Sequence, residues 1–366
     1  MYYFDYAASC FTDKKVMDIF VEHELTYYPH PNTYQKSIDL RETTKNKMLE
    51  TLKMTNKEVI FTSGGTEANN LAILGFAKTL TEKKEFICAT YEHSSVSDSM
   101  DEVEKIGHIV KRIKPQTDGR IKFEDIKKEI NDNTAFISLM SVNNEIGVAN
   151  EIESIAKNIK AINNDIVIFS DFVQGIGKIK LINFDNIDLI TISSHKIYGL
   201  KAKGALIKNK DLIINKILFG GVLENNMRAG SQSVASEVAF AKALELAYEN
   251  LDSNIQTIKS LMTHLITTLE TNPKIKANIM PDTNVLSVYI NSKHDAKQMK
   301  QLLLEKDILI STKSACSFDV CKPNPSITCL GFDNIVSDKS IRISISHHTN
   351  IDDINFLCEN INQIIN

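Results

Sequence analysis

"IDLITISSHKIYG", residues 187–199, is the stretch whose reading decides the fold. An apolar run closes abruptly on Ser193, Ser194, His195 and Lys196, that is, on two hydroxyls, an imidazole and an ammonium. A lysine at a strand end is ordinarily a solvated side chain. The reading changes when the same pattern recurs along the chain.

Four other short apolar runs end in polar groups. "EVIFT" (58–62) leads into "SGGTEANN", "EFICAT" (85–90) into "YEHSSV", "TAFISLM" (134–140) into "SVNNEIG", and "DIVIFS" (165–170) into "DFVQG". Between them lie helical patterns over about 67–80, 96–106 and 152–162. Strands alternating with helices predict an α/β domain with a mostly parallel sheet. In such a sheet ligands bind outside the carboxyl ends of the strands, where all five polar clusters fall.

Residues 234–271 read as one long helix. After Pro273 the elements shorten: a strand over 285–290, a helix over 296–304, a strand over 340–346 and a last helix. In 340–346 the alternation sets Ile341, Ile343 and Ile345 on one face and Arg342 and Ser344 on the other. A second, smaller α/β domain follows, with its boundary inside the long helical stretch.

Composition narrows the function. The chain has 366 residues, is 43% hydrophobic and 24% charged, and carries a net charge of -4, which gives no general attraction for nucleic acid. No apolar stretch reaches the roughly 18–20 residues that span a bilayer, and the N-terminus lacks a secretory signal pattern, so a cytoplasmic protein is expected. The cysteines, Cys10, Cys88, Cys316, Cys321, Cys329 and Cys358, do not read as a disulfide scaffold. "CSFDVC" has neither CxxC spacing nor histidine pairs, so no metal site is expected. Arginine is rare beside lysine, which singles out Arg342.

The strand-end inventory suits pyridoxal phosphate. A lysine can hold its aldehyde as a Schiff base, and a carboxylate can pair with the pyridinium nitrogen. A Gly/Thr helix start, serines and a histidine can take the phosphate. There is no GxxxxGK[ST], and no GxGxxG after the first strand.

With these motifs in order, the chain resembles the pyridoxal-phosphate-dependent cysteine desulfurases of the NifS/IscS type, within the class V aminotransferases. The resemblance runs from "YFDYAAS" (3–9) through "MRAGS" (227–231) and "STKSACS" (311–317) to "SIRISIS" (340–346). It implies an aspartate aminotransferase-like fold: a large domain over 12–258 with a seven-stranded sheet, and a small domain over 1–11 and 259–366. It further implies that Lys196 holds the cofactor, Asp171 pairs with its ring nitrogen, and Gln174 and Asn144 lie near its ring oxygen. His93 would stack on the ring and assist proton transfer. Gly65, Thr66, Ser193 and His195 would bind phosphate, joined by Ser231 from the other subunit of a homodimer. Asn144 and Arg342 would bind the substrate carboxylate, and Cys316 would take sulfur as a persulfide. The implied reaction turns L-cysteine into L-alanine. The sulfur would pass to an acceptor protein for iron–sulfur cluster assembly or tRNA thiolation.

The alternatives on the same fold are a selenocysteine or cysteine-sulfinate lyase, or a weakly catalytic sulfur-relay partner. The chain departs from the pattern at 28–36, 201–203, 220–227 and 346–348, where "GRF" is replaced by Ser346, His347 and His348.

Overall fold

The structure is a computed structural model, and it describes residues 1–26, 34–312 and 323–365. Cys316 and Cys321, and with them most of "STKSACS", lie outside the described residues. Among the described residues the strands run β1 (Tyr2–Tyr3), β2 (Lys57–Thr62), β3 (Glu85–Ala89), β4 (Ile109–Ile113), β5 (Thr134–Ser138) and β6 (Val167–Asp171). There follow β7 (Leu189–Ser193), β8 (Gly204–Asn209), β9 (Ile275–Ala277), β10 (Val285–Ile290), β11 (Ile308–Leu309) and β12 (Ser340–Ser344).

Seven of them form one sheet in the order β2-β8-β7-β6-β5-β3-β4. Only β8 runs against its neighbours, β2 and β7. The carboxyl ends of β2, β3, β5, β6 and β7 therefore share one rim. Apolar side chains cover both faces of this sheet, as a mostly parallel sheet requires. That is why its strands read as near-continuous apolar runs.

A three-stranded sheet, β12-β10-β9, builds a separate core with the helices Leu251–Leu269, Ala296–Leu304 and Ile351–Ile365. Phe4, from the start of the chain, is buried in this same core. β1 pairs with β11, so Tyr2 and Tyr3 lie beside Ile308 and Leu309, while the Cys10 amide further on donates to His195 O.

Several elements differ from the sequence reading. The long helix is two, Val234–Glu249 and Leu251–Leu269, meeting at Asn250, whose backbone leaves the helical region. The last strand stops at Ser344 rather than Ser346, and both of its faces are buried. Edge strand β4, reversed strand β8 and the helices Lys14–Glu24 and Gln35–Thr51 were not anticipated.

The helix Gln35–Thr51 has a polar sequence but buries Arg41, Thr44, Lys45 and Met48. Arg41 Nε pairs with Glu237 Oε2 at 2.7 Å, and its Nη2 with Glu224. Lys45 reaches Glu224 at 3.0 Å and Lys203 reaches Glu237 at 3.4 Å. Both carboxylates are wholly buried. Charges enter a core when each finds partners. Glu224 begins a turn in which it, Asn225 and Asn226 all have positive φ (49°, 51° and 64°), a conformation that L-residues other than glycine adopt at a cost.

Candidate active site

The rim formed by β2, β3, β5, β6 and β7 opens into one pocket. Gly65, Thr66, His93, Asn144, Asp171, Gln174, Ser193, His195, Lys196 and Arg342 all line it. Two expected residues do not join them. Ser231 is exposed and lies off this pocket, and Cys316 is outside the described residues.

Gly65 opens the helix Gly65–Ala77, and Thr66 stands exposed in its first turn. The unpaired amides of that turn and the helix dipole favour an anion here. The turn is tight because two glycines meet. A Cβ on Gly204 would lie 2.6 Å from the backbone carbon of Gly64, closer than real Cβ contacts come. Next to the helix start, Ser193 Oγ is 2.9 Å from His195 Nδ1. Burial first, and then the charges of Lys196, Lys178 and Lys201, hold His195 down at about 4, so it is neutral near pH 7.

Asp171 ends β6 and is buried. Its Oδ2 accepts from Asn69 Nδ2 at 2.8 Å and its Oδ1 from the Val173 amide at 2.9 Å. Asn69 Nδ2 also donates to Ser95 Oγ at 2.8 Å. Ser95 Oγ lies 2.8 Å from His93 Nδ1, the residue that caps the helix Ser94–Lys105. The Ser95 amide donates to the same nitrogen, so the ring proton belongs on Nε2. A chain of hydrogen bonds thus links His93 to Asp171.

Lys196 follows β7 on a single turn of 3-10 helix. Its Nζ donates to the carbonyls of Ala7 and, at 2.8 Å, Ala8. Burial foremost, then the positive charges of Lys178 and Arg342, bring its ammonium from an ordinary 10.5 down to about 7. Gln174 Nε2 donates to Ala7 O at 2.8 Å, while its Oε1 accepts from Lys178 at 2.6 Å.

Arg342 points into the molecule and is 2% exposed. Its Nη2 pairs with Asp5 Oδ1 at 2.8 Å, its Nη1 donates to Asn144 O at 3.1 Å, and Glu145 lies 3.8 Å away. Sequence reading found the arginine but not its partner. Nor did it find Ala7, Ala8, Asn69, Ser95 or Lys178. Backbone carbonyls carry no residue signature, while Asn69 lies within the helix Gly65–Ala77 and Lys178 in the turn after β6, both in stretches read for their neighbours.

The geometry agrees with what the chain is similar to. The aminotransferase class-V family matches residues 2–357. Cysteine desulfurase IscS of Dictyoglomus turgidum is 31% identical, over 99% of this chain and 94% of that protein. A mitosomal cysteine desulfurase of Trachipleistophora hominis is 34% identical, over 95% of this chain and 82% of that protein. A solved NifS-like protein superposes with a TM-score of 0.91 at 26% identity, covering 99% of this chain and 98% of its own. These relatives favour the cysteine desulfurase reading over the selenocysteine lyase, cysteine-sulfinate lyase and relay-partner alternatives. With the five strand ends, the buried lysine and the matches along its whole length, the chain belongs to the aminotransferase class-V family, among its cysteine desulfurases.

Proposed function

We propose that this enzyme is a pyridoxal-phosphate-dependent cysteine desulfurase that converts L-cysteine to L-alanine and parks the sulfur on Cys316 as a persulfide. The observation that carries the reading is the convergence on one pocket of a buried low-pKa lysine, a buried carboxylate and an anion-seeking helix start.

The residues present fit the cofactor. Lys196, brought to about 7, is in large part a free amine near neutral pH, where an ordinary lysine is almost wholly protonated, and can condense with an aldehyde. Asp171 is fixed by Asn69 and the Val173 amide in the manner of a partner for a ring nitrogen. The Thr66 hydroxyl, the Gly65–Ala77 helix start and Ser193 form a cradle for a phosphate. When bound, pyridoxal phosphate supplies an electron sink for the pair released at the substrate's α-carbon.

The chain's own groups do the rest. Asp171 would keep the ring nitrogen positive, and the Ser95–Asn69 bridge ties His93, which lines the same pocket, to Asp171. Lys196 Nζ would move the proton at the substrate's α-carbon. Arg342 and Asn144 receive the substrate carboxylate through the guanidinium fork and the amide. The Cys316 thiolate attacks the substrate sulfur, so that a sulfur–sulfur bond forms as the carbon–sulfur bond breaks. The carbon fragment takes up protons and leaves as alanine.

We further infer a homodimer in which Ser231 completes the partner's phosphate site. Its supports are the exposure of Ser231 and the exposed apolar side chains Ile213, Leu218, Phe219 and Val222 close to it in sequence. The division into units 12–258 and 1–11 with 259–366 belongs to the same proposal, as do a cytoplasmic setting and an acceptor in iron–sulfur assembly or tRNA thiolation. Among the described residues no helix is long and apolar enough to cross a membrane.

Borohydride reduction of the cofactor-loaded protein, followed by peptide mapping, tests the lysine. A pyridoxyl label on any lysine but Lys196 refutes the assignment. Labelled cysteine should yield alanine and a persulfide on Cys316, and the Cys316→Ala variant should bind cofactor and cysteine yet form neither product.

A further inference from the structure

Lys178 stands four residues beyond Gln174, behind the wall of the pocket. Its ammonium donates to Gln174 Oε1 at 2.6 Å. An ammonium has donors only, so the amide oxygen must face it, and this fixes which way Gln174 is turned. The NH2 end then points forward. One N–H goes to Ala7 O at 2.8 Å, and the other is left for the pocket that Gln174 lines. Ala7 O also accepts from Lys196 Nζ. Lys178, Gln174, Ala7 and Lys196 therefore form one hydrogen-bonded run, with an amine at each end.

Behind this run is a second cavity of about 410 Å³, lined among others by Lys178, Lys196, Cys10, His347 and His348. Among the described residues no carboxylate lies within ion-pair distance of Lys178. Among those residues its positive charge has no carboxylate partner, and it acts on a second amine, Lys196. Burial brings Lys178 itself down to about 8, with the Cys10 thiol opposing and Arg342 reinforcing. Around Lys196, Lys178 is the largest influence after burial, Arg342 acts in the same direction, and Cys10 and Asp5 oppose. His195 and His347, each held at about 4, are neutral from pH 6 upward and do not mask the effect.

We propose that Lys178 is a positioning residue of this site, which turns the Gln174 amide so that its N–H serves the pocket and holds a lone positive charge behind Lys196. The role rests on the cofactor reading above. A lysine that merely closed the turn after β6 would affect stability but not the titration of a group at Lys196.

The test compares wild type with Lys178→Met, Lys178→Gln and Lys178→Arg, each loaded with pyridoxal phosphate. Visible absorption of the bound cofactor is followed against pH. Removing a neighbouring positive charge favours the protonated form, so the midpoint should rise by about one pH unit in Lys178→Met. Lys178→Gln keeps an N–H for Gln174 without the charge and should show a similar rise, which also covers the case in which the Met variant fails to fold. Lys178→Arg keeps charge and donors and should return within about 0.3 unit of wild type. Unchanged midpoints in the Met and Gln variants, with cofactor bound, overturn this role and leave the enzyme's reading intact. A wild-type protein that takes up no pyridoxal phosphate overturns both.

Discussion

Replacing Glu237 by Gln should cost more stability than replacing Arg41 by Met, although Arg41 makes more contacts. In the buried network three cations, Arg41, Lys45 and Lys203, face two carboxylates, Glu224 and Glu237. Removing Arg41 leaves each carboxylate with one lysine, Glu224 with Lys45 at 3.0 Å and Glu237 with Lys203 at 3.4 Å. The cluster is then neutral. Removing the Glu237 charge leaves three cations on one buried carboxylate, with only the exposed Glu42, 3.7 Å from Lys45, to offset them. Breaking a buried pair from one side costs about 3–5 kcal/mol. Arg41→Met belongs near the lower figure and Glu237→Gln near the upper. At roughly 2 °C per kcal/mol for a large chain, the melting temperature should fall by about 6 °C and 10 °C respectively. Paired urea and thermal unfolding at pH 7.5 would measure both, with Arg41→Met/Glu237→Gln as the closing corner of a double-mutant cycle. If Arg41→Met proves the more damaging, or both lose less than about 1 kcal/mol, charge balance does not govern this core.

Other expectations concern protons and space. Burial first of all raises the Glu92 carboxyl from 4.5 to about 8. The folded chain keeps that proton while the unfolded chain releases it near 4.5, so wild-type stability drains as pH rises from 4.5 to 8; Glu92→Gln should gain on wild type across that window in pH-dependent denaturant titrations. Lys196 runs the other way, since its folded pKa is about 7 and its ordinary value 10.5. Between those values only the unfolded chain binds the proton, so the apoprotein should gain stability with rising pH relative to Lys196→Met. Gly204→Ala would drive a methyl into the Gly64 backbone, and should destabilise by about 1–3 kcal/mol and weaken cofactor retention on dialysis. Asp171→Asn should retain the cofactor yet lose most alanine production in a coupled assay; unchanged turnover would remove Asp171 from the ring nitrogen.

The sequence and the structure agree best where one signal acts alone. β5, β6, β7 and β10 are apolar runs bounded by turn residues, and each is found within a few residues of its expected limits. The helices Ile152–Ile162 and Ala296–Leu304 match to the residue, because their apolar stripes repeat cleanly and, in the second, a capping box marks the start. Gln35–Thr51 escaped notice for the opposite reason: its buried face is made of Arg41 and Lys45, whose partners lie almost two hundred residues away. β4 was hidden by Lys111 and Arg112, both satisfied by carboxylates at the edge of the sheet. The pocket was legible because each strand end carries a distinctive polar group beside its own strand. Its wall was not, since Ala7 and Ala8 contribute only carbonyls and Asp5 meets Arg342 across more than three hundred residues.

That last closure bears on how the enzyme is made. Residues 2–8 are made long before residues 309 and 344, yet Phe4 is held by the backbone of Leu309 and Ser344, and Ala7 by the Ser344 hydroxyl. Those contacts form only after some three hundred further residues are synthesised, whereas Ala7 O and the Cys10 amide meet Gln174 and His195, which are made much sooner. Until β12 is made, Arg342 is not present to pair with Asp5. A nascent chain can complete its seven-stranded sheet before the contacts of Phe4 and Ala7 with Ser344 exist. The side of the pocket that Asp5 and Arg342 close is thus set only after β12 has been made, later than the strands that carry Asp171 and Lys196.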